Sequence, residues 1–200
     1  GTLVTVTAAP NTGYQVERVS ASYDNSGTPA PITLVPQSAV TYTFTVPNEA
    51  DGKQITVSAA VTQITHTLSV VSGTPASAVL AEGGTTNISA NPPAEGYRFK
   101  NWTATSGALS SAASADTTFT MGAADAVVTA NYELIPYTLT VQNGSGSGTY
   151  TMGQKASITP NFPAAGKEFD CWTTVKGKTT YNNAYEYYAT VTLHACDTTI

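Results

Sequence analysis

Few residues of this 200-residue chain could perform chemistry. Two histidines, His66 and His194, are the candidates for general-base catalysis or metal binding, but no neighbouring Cys/His/Asp spacing supports either role. Nucleophile-elbow, P-loop and dinucleotide-binding motifs are also missing from the sequence. We therefore predict a protein that is not an enzyme, with no catalytic residue, no metal site and no cofactor.

A run of tyrosines near the C-terminus is the strongest candidate for binding. It comprises Tyr181, Tyr185, Tyr187 and Tyr188. Each ring offers a flat apolar face and a hydroxyl group, the combination that stacks on sugars or anchors a protein partner. Strand alternation would send Tyr185 and Tyr187 to one side and Tyr188 to the other. The alternative is that these rings fill both faces of a strand beside Trp172.

An internal repeat organises the chain. Residues 83–103 recur as residues 153–173 with glycines, prolines and apolar anchors retained, while the charges change. A repeated scaffold has this pattern, because turn geometry and core volume are constrained and solvated faces drift. A more diverged copy begins near Thr5. We predict three modules of about 70 residues, listed in order as 1–63, 64–134 and 135–200. We expect the first module to lack its opening strand and the last module to lack the end of its closing strand. Such incomplete ends are what a piece of a longer protein would have.

When the copies are aligned, three aspartates and the two cysteines are best interpreted as structural residues and not as catalytic ones. Asp51, Asp125 and Asp197 recur in the turn before the last strand of each module, where an Asx side chain caps backbone N–H groups. Cys171 and Cys196 are both replaced in the preceding copy. This paired absence fits a local disulfide in an extracellular protein, and two buried free thiols are the alternative.

Composition and charge exclude several kinds of partner. The net charge is −5, and the lysines and arginines are scattered, so no basic stripe exists for nucleic acid or an anionic membrane surface. No apolar run approaches the roughly 20 residues that span a bilayer. Charged residues make up 10% of the chain, against roughly 25% in typical soluble domains. Such low charge with abundant Thr and Ser is common in secreted and surface proteins, and we predict an extracellular location.

Apolar and polar residues alternate along most of the chain, for example in residues 67–70, 138–141 and 189–193. This period of two predicts half-buried strands, and no window has helical spacing over three turns. We predict an all-β chain of three tandem small antiparallel modules, each β-grasp-like or a small sandwich with about five strands.

Two aromatic pairs recur as structural anchors of the repeat: Phe99 with Trp102, and Phe169 with Trp172. Strict alternation would place residues three apart on opposite faces of a strand. A β-bulge between them would return both to one face; alternatively, the tryptophan covers the joint between modules. We interpret both pairs as packing residues and not as a ligand platform.

The order of these anchors resembles a known family. Three sequence patterns occur in a fixed order: Y-T-L-T-V, then G-x-x-F-x-x-W, then F-T-M…A-x-D. The second copy carries this series in residues 66–102 and 119–125, and the third copy carries it in residues 137–172 and 191–197. The series is similar to the divergent internalin-type B-repeat modules of bacterial surface proteins. In that family the modules form tandem arrays regarded as stalks or adhesive segments. The more regular members adopt a β-grasp-like fold with a short helix. The resemblance implies the bacterial cell surface and supplies no catalytic residue.

These observations favour a non-enzymatic repeat region of a secreted or surface-anchored bacterial protein. We predict a monomer that acts as a stalk or adhesin segment. One alternative is a carbohydrate- or host-ligand-binding module, in which the tyrosine cluster contacts a glycan or a host surface protein. A second alternative is an accessory region of a secreted hydrolase.

Overall fold

The computed structural model describes residues 1–200, which form strands, turns and a single 3₁₀ turn at Asn48–Ala50. The strands of module 1 (residues 1–63) are β1 (Leu3–Thr7), β2 (Tyr14–Asn25), β3 (Thr28–Ile32), β4 (Val35–Pro36), β5 (Thr41–Thr45) and β6 (Ile55–Gln63). The strands of module 2 (residues 64–134) are β7 (Thr65–Val71), β8 (Gly73–Thr74), β9 (Ser77–Ala81), β10 (Thr85–Ala90), β11 (Tyr97–Ala104), β12 (Ala108–Leu109), β13 (Asp116–Thr120) and β14 (Ala126–Leu134). The strands of module 3 (residues 135–200) are β15 (Pro136–Thr140), β16 (Gly144–Ser145), β17 (Gly148–Thr151), β18 (Lys155–Pro160), β19 (Thr179–Tyr181), β20 (Ala189–Leu193) and β21 (Thr198–Thr199).

Module 2 is a small sandwich. One sheet has the strand order β12-β13-β10-β8, and the other has the order β11-β14-β7-β9. Alternate side chains of both sheets point inward because successive residues of a strand face opposite sides. The core between the sheets includes Leu68, Ile88, Trp102, Phe119 and Val128, each at most 2% exposed. No helix occurs in residues 109–115. Of the two predicted architectures, the sandwich is therefore the one observed.

The pairing is antiparallel with one exception in each of modules 2 and 3. There the first and last strands of the module lie side by side and run in the same direction, β7 with β14 and β15 with β21. The prediction of antiparallel pairing is correct except at these two pairs, and the modules have six, eight and seven strands where about five were predicted. Alternation shows that a segment is a strand, but its partner and direction depend on how the whole module closes.

A β-bulge brings Phe99 and Trp102 together, which is the first of the two predicted alternatives, whereas Phe169 and Trp172 meet in a segment without strand structure, with ring centroids 5.5 Å apart. The register of β11 against β14 shifts between Phe99 and Asn101, so Phe99 and Trp102 meet with ring centroids 5.8 Å apart. In module 1 the same shift occurs between Val16 and Arg18. The indole nitrogen of Trp102 donates to the Ser114 carbonyl at 3.0 Å. Trp102 therefore lies inside its module and does not cover the joint.

The terminal modules have fewer strands than module 2. Module 1 has sheets β1-β5-β4 and β3-β2-β6, with no counterpart of β7 or β9. In module 3 the counterpart of β14 is the two-residue strand β21, and residues 167–174 form no strand. The core cluster of module 1 accordingly comprises three buried residues, Ala21, Ile32 and Phe44, with Ala50 buried apart from it.

One residue separates the modules at each joint. Ile64 lies between β6 and β7, and Ile135 lies between β14 and β15. The N–H of Ile64 donates to the Gly13 carbonyl at 2.8 Å, and the N–H of Ile135 donates to the Gly96 carbonyl at 2.8 Å. The two joints therefore repeat the same single-residue link and the same backbone hydrogen bond.

Candidate functional site

Module 3 exposes three large rings on one side, which we call the aromatic surface. Its members are Phe162, Tyr185 and Tyr188, which are 94%, 76% and 75% exposed. All three rings line one groove of about 880 Å³. Grouped exposed rings of this kind mark contact sites more often than isolated apolar residues do.

Two loops position the aromatic surface. Phe162 lies in the loop that follows β18, directly before Pro163, whose ring restricts the backbone of the residue ahead of it. Tyr185 and Tyr188 lie in residues 182–188, the loop between β19 and β20. The Asn182 side chain accepts the N–H of Thr190 at 2.6 Å, so this loop is closed at its base.

Asn182 and Asn183 also fix the interior of the same loop. Both side-chain amides donate to the Glu186 carboxylate, at 3.2 Å and 3.3 Å. The Asn183 side chain in turn accepts the N–H of Tyr185 at 3.1 Å. Local Asx bonds of this kind hold an irregular backbone in one conformation. The loop is thus a defined support for Tyr185.

Tyr187 is half-buried and packs inward. Its ring meets Phe169 edge-on, with centroids 5.6 Å apart, and its hydroxyl donates to the Pro160 carbonyl at 3.4 Å. In module 2, Tyr132 meets Phe99 in the same edge-on way, with centroids 6.1 Å apart. Tyr187 therefore supplies from a loop the ring that Tyr132 supplies from β14.

Tyr181 lies outside the aromatic surface. It is half-buried on β19, packs against the module 3 core, and its hydroxyl is 3.1 Å from Thr174 Oγ1. The predicted alternation of Tyr185 and Tyr187 against Tyr188 is wrong, because residues 182–188 form a loop and not a strand. Two of the four predicted tyrosines face solvent, and the other two pack inward.

Phe162 was missed by the sequence prediction. The copy alignment carried a signal for it, because the chain reads Asn91-Pro92-Pro93 in module 2 and Asn161-Phe162-Pro163 in module 3. A proline replaced by an apolar ring in an exposed loop adds surface that the scaffold does not need. The groove also has a charged margin formed by Lys167 and Glu168.

Both cysteines are free thiols, so the bridge considered between Cys171 and Cys196 is absent from the structure. The Cys196 sulfur lies 3.8 Å from Thr198 Oγ1. Cys171 directly precedes Trp172 and lines a cavity with it. The two side chains therefore have separate surroundings, and each is half-buried, not fully buried as the alternative had it.

The recurring aspartates bind backbone N–H groups. Asp125 Oδ1 accepts the N–H of Thr67 at 2.8 Å, and Asp197 Oδ1 accepts the N–H of Thr138 at 2.8 Å. The predicted role of Asp125 and Asp197 as acceptors of backbone N–H groups is confirmed. The donating N–H groups lie on the first strand of each module and not in the turn that contains the aspartate. His66 Nδ1 is 3.9 Å from Asp125 Oδ1.

Neither histidine belongs to a metal-binding group. His194 Nε2 is 3.0 Å from Thr180 Oγ1, and no cluster of three or more His, Cys, Asp or Glu side chains occurs. The four recurrent aromatic anchors, Phe99, Trp102, Phe169 and Trp172, pack within their modules. The structure contains no helix that could span a membrane.

Comparison with known proteins agrees with the three-module architecture. The family model of the divergent InlB B-repeat domain matches residues 1–65, 59–136 and 137–200. No curated protein and no solved structure shows significant similarity to the chain. Repeats of this family typically occur in surface proteins. The matched regions span the whole chain, and the chain therefore belongs to the divergent InlB B-repeat family, as three tandem repeats.

Proposed function

We propose that this chain is a non-enzymatic stalk segment of a bacterial surface protein. The observation that carries the proposal is the repeated joint, in which one residue links two strands and its N–H is bound by the preceding module. A single-residue link between strands leaves little freedom for one module to turn against the next. Repetition of one joint geometry produces an extended array in place of a globule.

The second joint carries an additional contact. Met152 of module 3 packs so close to Gly96 of module 2 that a Cβ added to Gly96 would lie 3.0 Å from the Met152 side chain. The same glycine carbonyl accepts the N–H of Ile135. A backbone hydrogen bond and a side-chain contact thus both involve Gly96, and together they favour a stiff joint.

Small-angle scattering tests the stalk proposal. A compact 200-residue domain has a radius of gyration of about 16 Å, and we expect a clearly larger value for this chain. Insertion of Gly-Ser-Gly-Ser after Ile135 should broaden the distance distribution, because the joint becomes a flexible linker. The same insertion between Ser26 and Gly27, in a hairpin turn, is the matched control and should leave the distribution unchanged. A compact radius for the unaltered chain would refute the stalk.

A second candidate function is adhesion through the aromatic surface, favoured by the exposure of Phe162, Tyr185 and Tyr188 on one groove. Aromatic faces stack on the apolar faces of sugar rings, and tyrosine hydroxyls and nearby charges bind sugar hydroxyls. The ligand class that fits best is therefore a surface glycan, with a host surface protein as the other partner to be screened.

A glycan and host-matrix array compares the chain with a Tyr185→Ala/Tyr188→Ala variant. We expect binding that this variant loses, while Tyr14→Ala, which removes a 41% exposed tyrosine from module 1, retains it. Binding that survives the double substitution would place the contact elsewhere. Absence of binding by the unaltered chain would refute adhesion and leave the stalk proposal unaffected, since that rests on the shape of the array.

A further inference from the structure

Module 2 has a pocket at the end of its sandwich where β11 begins. The pocket has a volume of about 320 Å³. Pro92 and Pro93, in the loop between β10 and β11, line it together with Tyr97 and Tyr132. Ligand pockets in proteins span about 300–1,000 Å³, so this pocket has room for a single ring and not for a much larger ligand.

Tyr132 is held in place beside the pocket. Its ring meets Phe99 edge-on, and Phe99 packs against the core of module 2. Its hydroxyl donates to the Asn91 carbonyl at 2.6 Å and lies 3.2 Å from the Ser72 carbonyl. Contacts at both ends of the side chain restrict its rotation. This part of the pocket is therefore formed before a ligand arrives, which lowers the entropic cost of binding.

The backbone that shapes the pocket recurs in module 3. The N–H of Asn91 donates to the Ser72 carbonyl at 2.9 Å, and in module 3 the N–H of Asn161 donates to the Asn143 carbonyl at 2.7 Å. Ser72 and Asn143 both have a left-handed backbone, with φ of 58° and 55°. Non-glycine residues rarely adopt this conformation, and such residues cluster at ligand sites. Because module 3 also has a cavity at this loop, the pocket belongs to the repeat scaffold.

The cavities of the two modules differ in charge. Lys167 takes the place of Tyr97 in module 3, and Glu168 and Asp170 line the same cavity. No charged side chain lines the pocket of module 2. Burial of a charge without a partner costs free energy, so the module 2 pocket favours a neutral ligand. The same loop thus offers different chemistry in neighbouring modules.

Polar and apolar groups meet in the module 2 pocket. Ser72, Asn91 and Tyr97 line it and are exposed. The serine hydroxyl and the asparagine amide can each donate and accept hydrogen bonds, as sugar hydroxyls can. Tyr97 is 39% exposed, and its ring offers a flat apolar face. A hexose ring matches this combination, because its hydroxyls surround an apolar C–H face.

We propose that the pocket of module 2 binds one neutral hexose unit of a glycan. The C–H face of the sugar lies on the Tyr97 ring, and its hydroxyls bond the side chains of Ser72 and Asn91. Pro92 and Pro93 complete the apolar lining. This inference rests neither on the stalk proposal nor on the aromatic surface, because no residue of that surface lines this pocket.

Methyl glycosides of glucose, galactose, mannose and N-acetylglucosamine, titrated into the isotope-labelled 200-residue chain, test the proposal by NMR. We expect saturable shifts of the backbone amide signals of Ser72, Asn91 and Tyr97 with at least one of these neutral sugars. The methyl glycoside of N-acetylneuraminic acid should cause no such shifts, because its carboxylate would lose water without gaining a partner. Tyr97→Ala should weaken binding about tenfold, because the stacking face is lost. Tyr97→Phe keeps the ring and should bind more tightly than Tyr97→Ala.

Tyr14→Ala is the matched control. Tyr14 begins β2 as Tyr97 begins β11, and it is 41% exposed, but it lies in module 1 and does not line the pocket. This variant should bind the sugars as the unaltered chain does. Circular dichroism of all variants separates loss of binding from loss of folding.

Three results would overturn the proposal: no saturable shift of the pocket amides with any neutral sugar, equal shifts with the charged sugar, or binding that Tyr97→Ala leaves unchanged. A proline-rich peptide that shifts the same amides where the neutral sugars do not would also overturn it, by assigning the pocket to a peptide. Because the shifts are resolved by residue, sugar contacts at the aromatic surface of module 3 are detected separately, and the two sites succeed or fail independently.

Discussion

Asp125 Oδ1 accepts the backbone N–H of Thr67 at 2.8 Å, although the two residues lie at opposite ends of module 2. Asp197 and Thr138 repeat this bond in module 3 at the same distance. The bond joins the closing turn of a module to its opening strand, which is the strand that pairs in parallel with the closing one. The aligned residue in module 1, Asp51, has no opening strand to bind.

Asp125→Ala should destabilise module 2 by about 1 kcal/mol, because a charged acceptor of a backbone N–H is lost at a largely solvent-exposed side chain. The amide hydrogen of Thr67 should also exchange faster, which NMR detects directly. Asp51→Ala is the matched control, and neither its stability nor its exchange pattern should change. Unaltered protection of the Thr67 amide in Asp125→Ala would contradict the capping role.

Gly73→Ala should destabilise module 2 by roughly 1–3 kcal/mol, because the new methyl group overlaps the Trp102 ring and the Ser89 carbonyl. In a Trp102→Phe background the cost should be smaller, since the ring atom nearest to Gly73 is gone. Urea denaturation of the two single variants and the double variant gives the coupling. Additive effects would show that the ring does not restrict Gly73.

Gly96→Ala should cost more than Gly166→Ala, its counterpart in module 3. Both glycines have a left-handed backbone, with φ of +79° and +78°, but only Gly96 faces Met152. The shared backbone strain is about 1–2 kcal/mol, and the excess at Gly96 measures the contact across the joint. Met152→Ala combined with Gly96→Ala should remove that excess. Equal costs in urea denaturation would argue against a contact that stiffens the joint.

Both Cys171 and Cys196 should react with iodoacetamide in unreduced, denatured protein, because the structure contains two free thiols. Intact mass spectrometry with and without reductant counts the modified groups. Two alkylated thiols in both samples are the expected result. Alkylation that appears only after reduction would establish a disulfide between them.

Tyr187→Ala should destabilise module 3 by about 1–2 kcal/mol, because its ring packs on Phe169 and is half-buried. Tyr185→Ala should leave the stability unchanged, since that ring is 76% exposed. Urea denaturation followed by tryptophan fluorescence reports on Trp172 in the same module. Equal stability of the two variants would mean that Tyr187 belongs with the exposed rings.

The repeat made much of the scaffold predictable. The spacing between Phe99 and Trp102 predicted a β-bulge as one of two alternatives, because two residues three apart can share one face of a strand only if one residue is inserted in the register. The recurring aspartates were also interpretable, since a short acidic side chain in a turn has backbone N–H groups within reach. The bulge follows from a spacing of three residues, whereas the donors to Asp125 and Asp197 lie 58 and 59 residues away along the chain and were not predictable from the turn.

The aromatic surface was only partly predictable. Whether Tyr187 faces outward depends on Phe169 and Pro160, which are close to it in space and distant in sequence. Strand alternation predicted that Tyr185 and Tyr187 point to one side and Tyr188 to the other. This orientation is wrong because residues 182–188 form a loop, which the hydrogen bonds of Asn182 and Asn183 stabilise. Phe162 joins Tyr185 and Tyr188 only after two separate loops have folded over the same end of the module.

The all-β class, the three-module order and the recurrent packing residues follow from the amino-acid sequence, because alternation, turn residues and repeated anchors are local signals. The parallel pairing of β7 with β14 and the surroundings of each tyrosine are known only from the tertiary structure. These features depend on which strands and loops meet when a module closes. That outcome is set by packing among residues far apart in the chain, as Tyr187 and Tyr185 illustrate: they lie two residues apart in one loop, yet Tyr187 is half-buried against Phe169 and Tyr185 is 76% exposed.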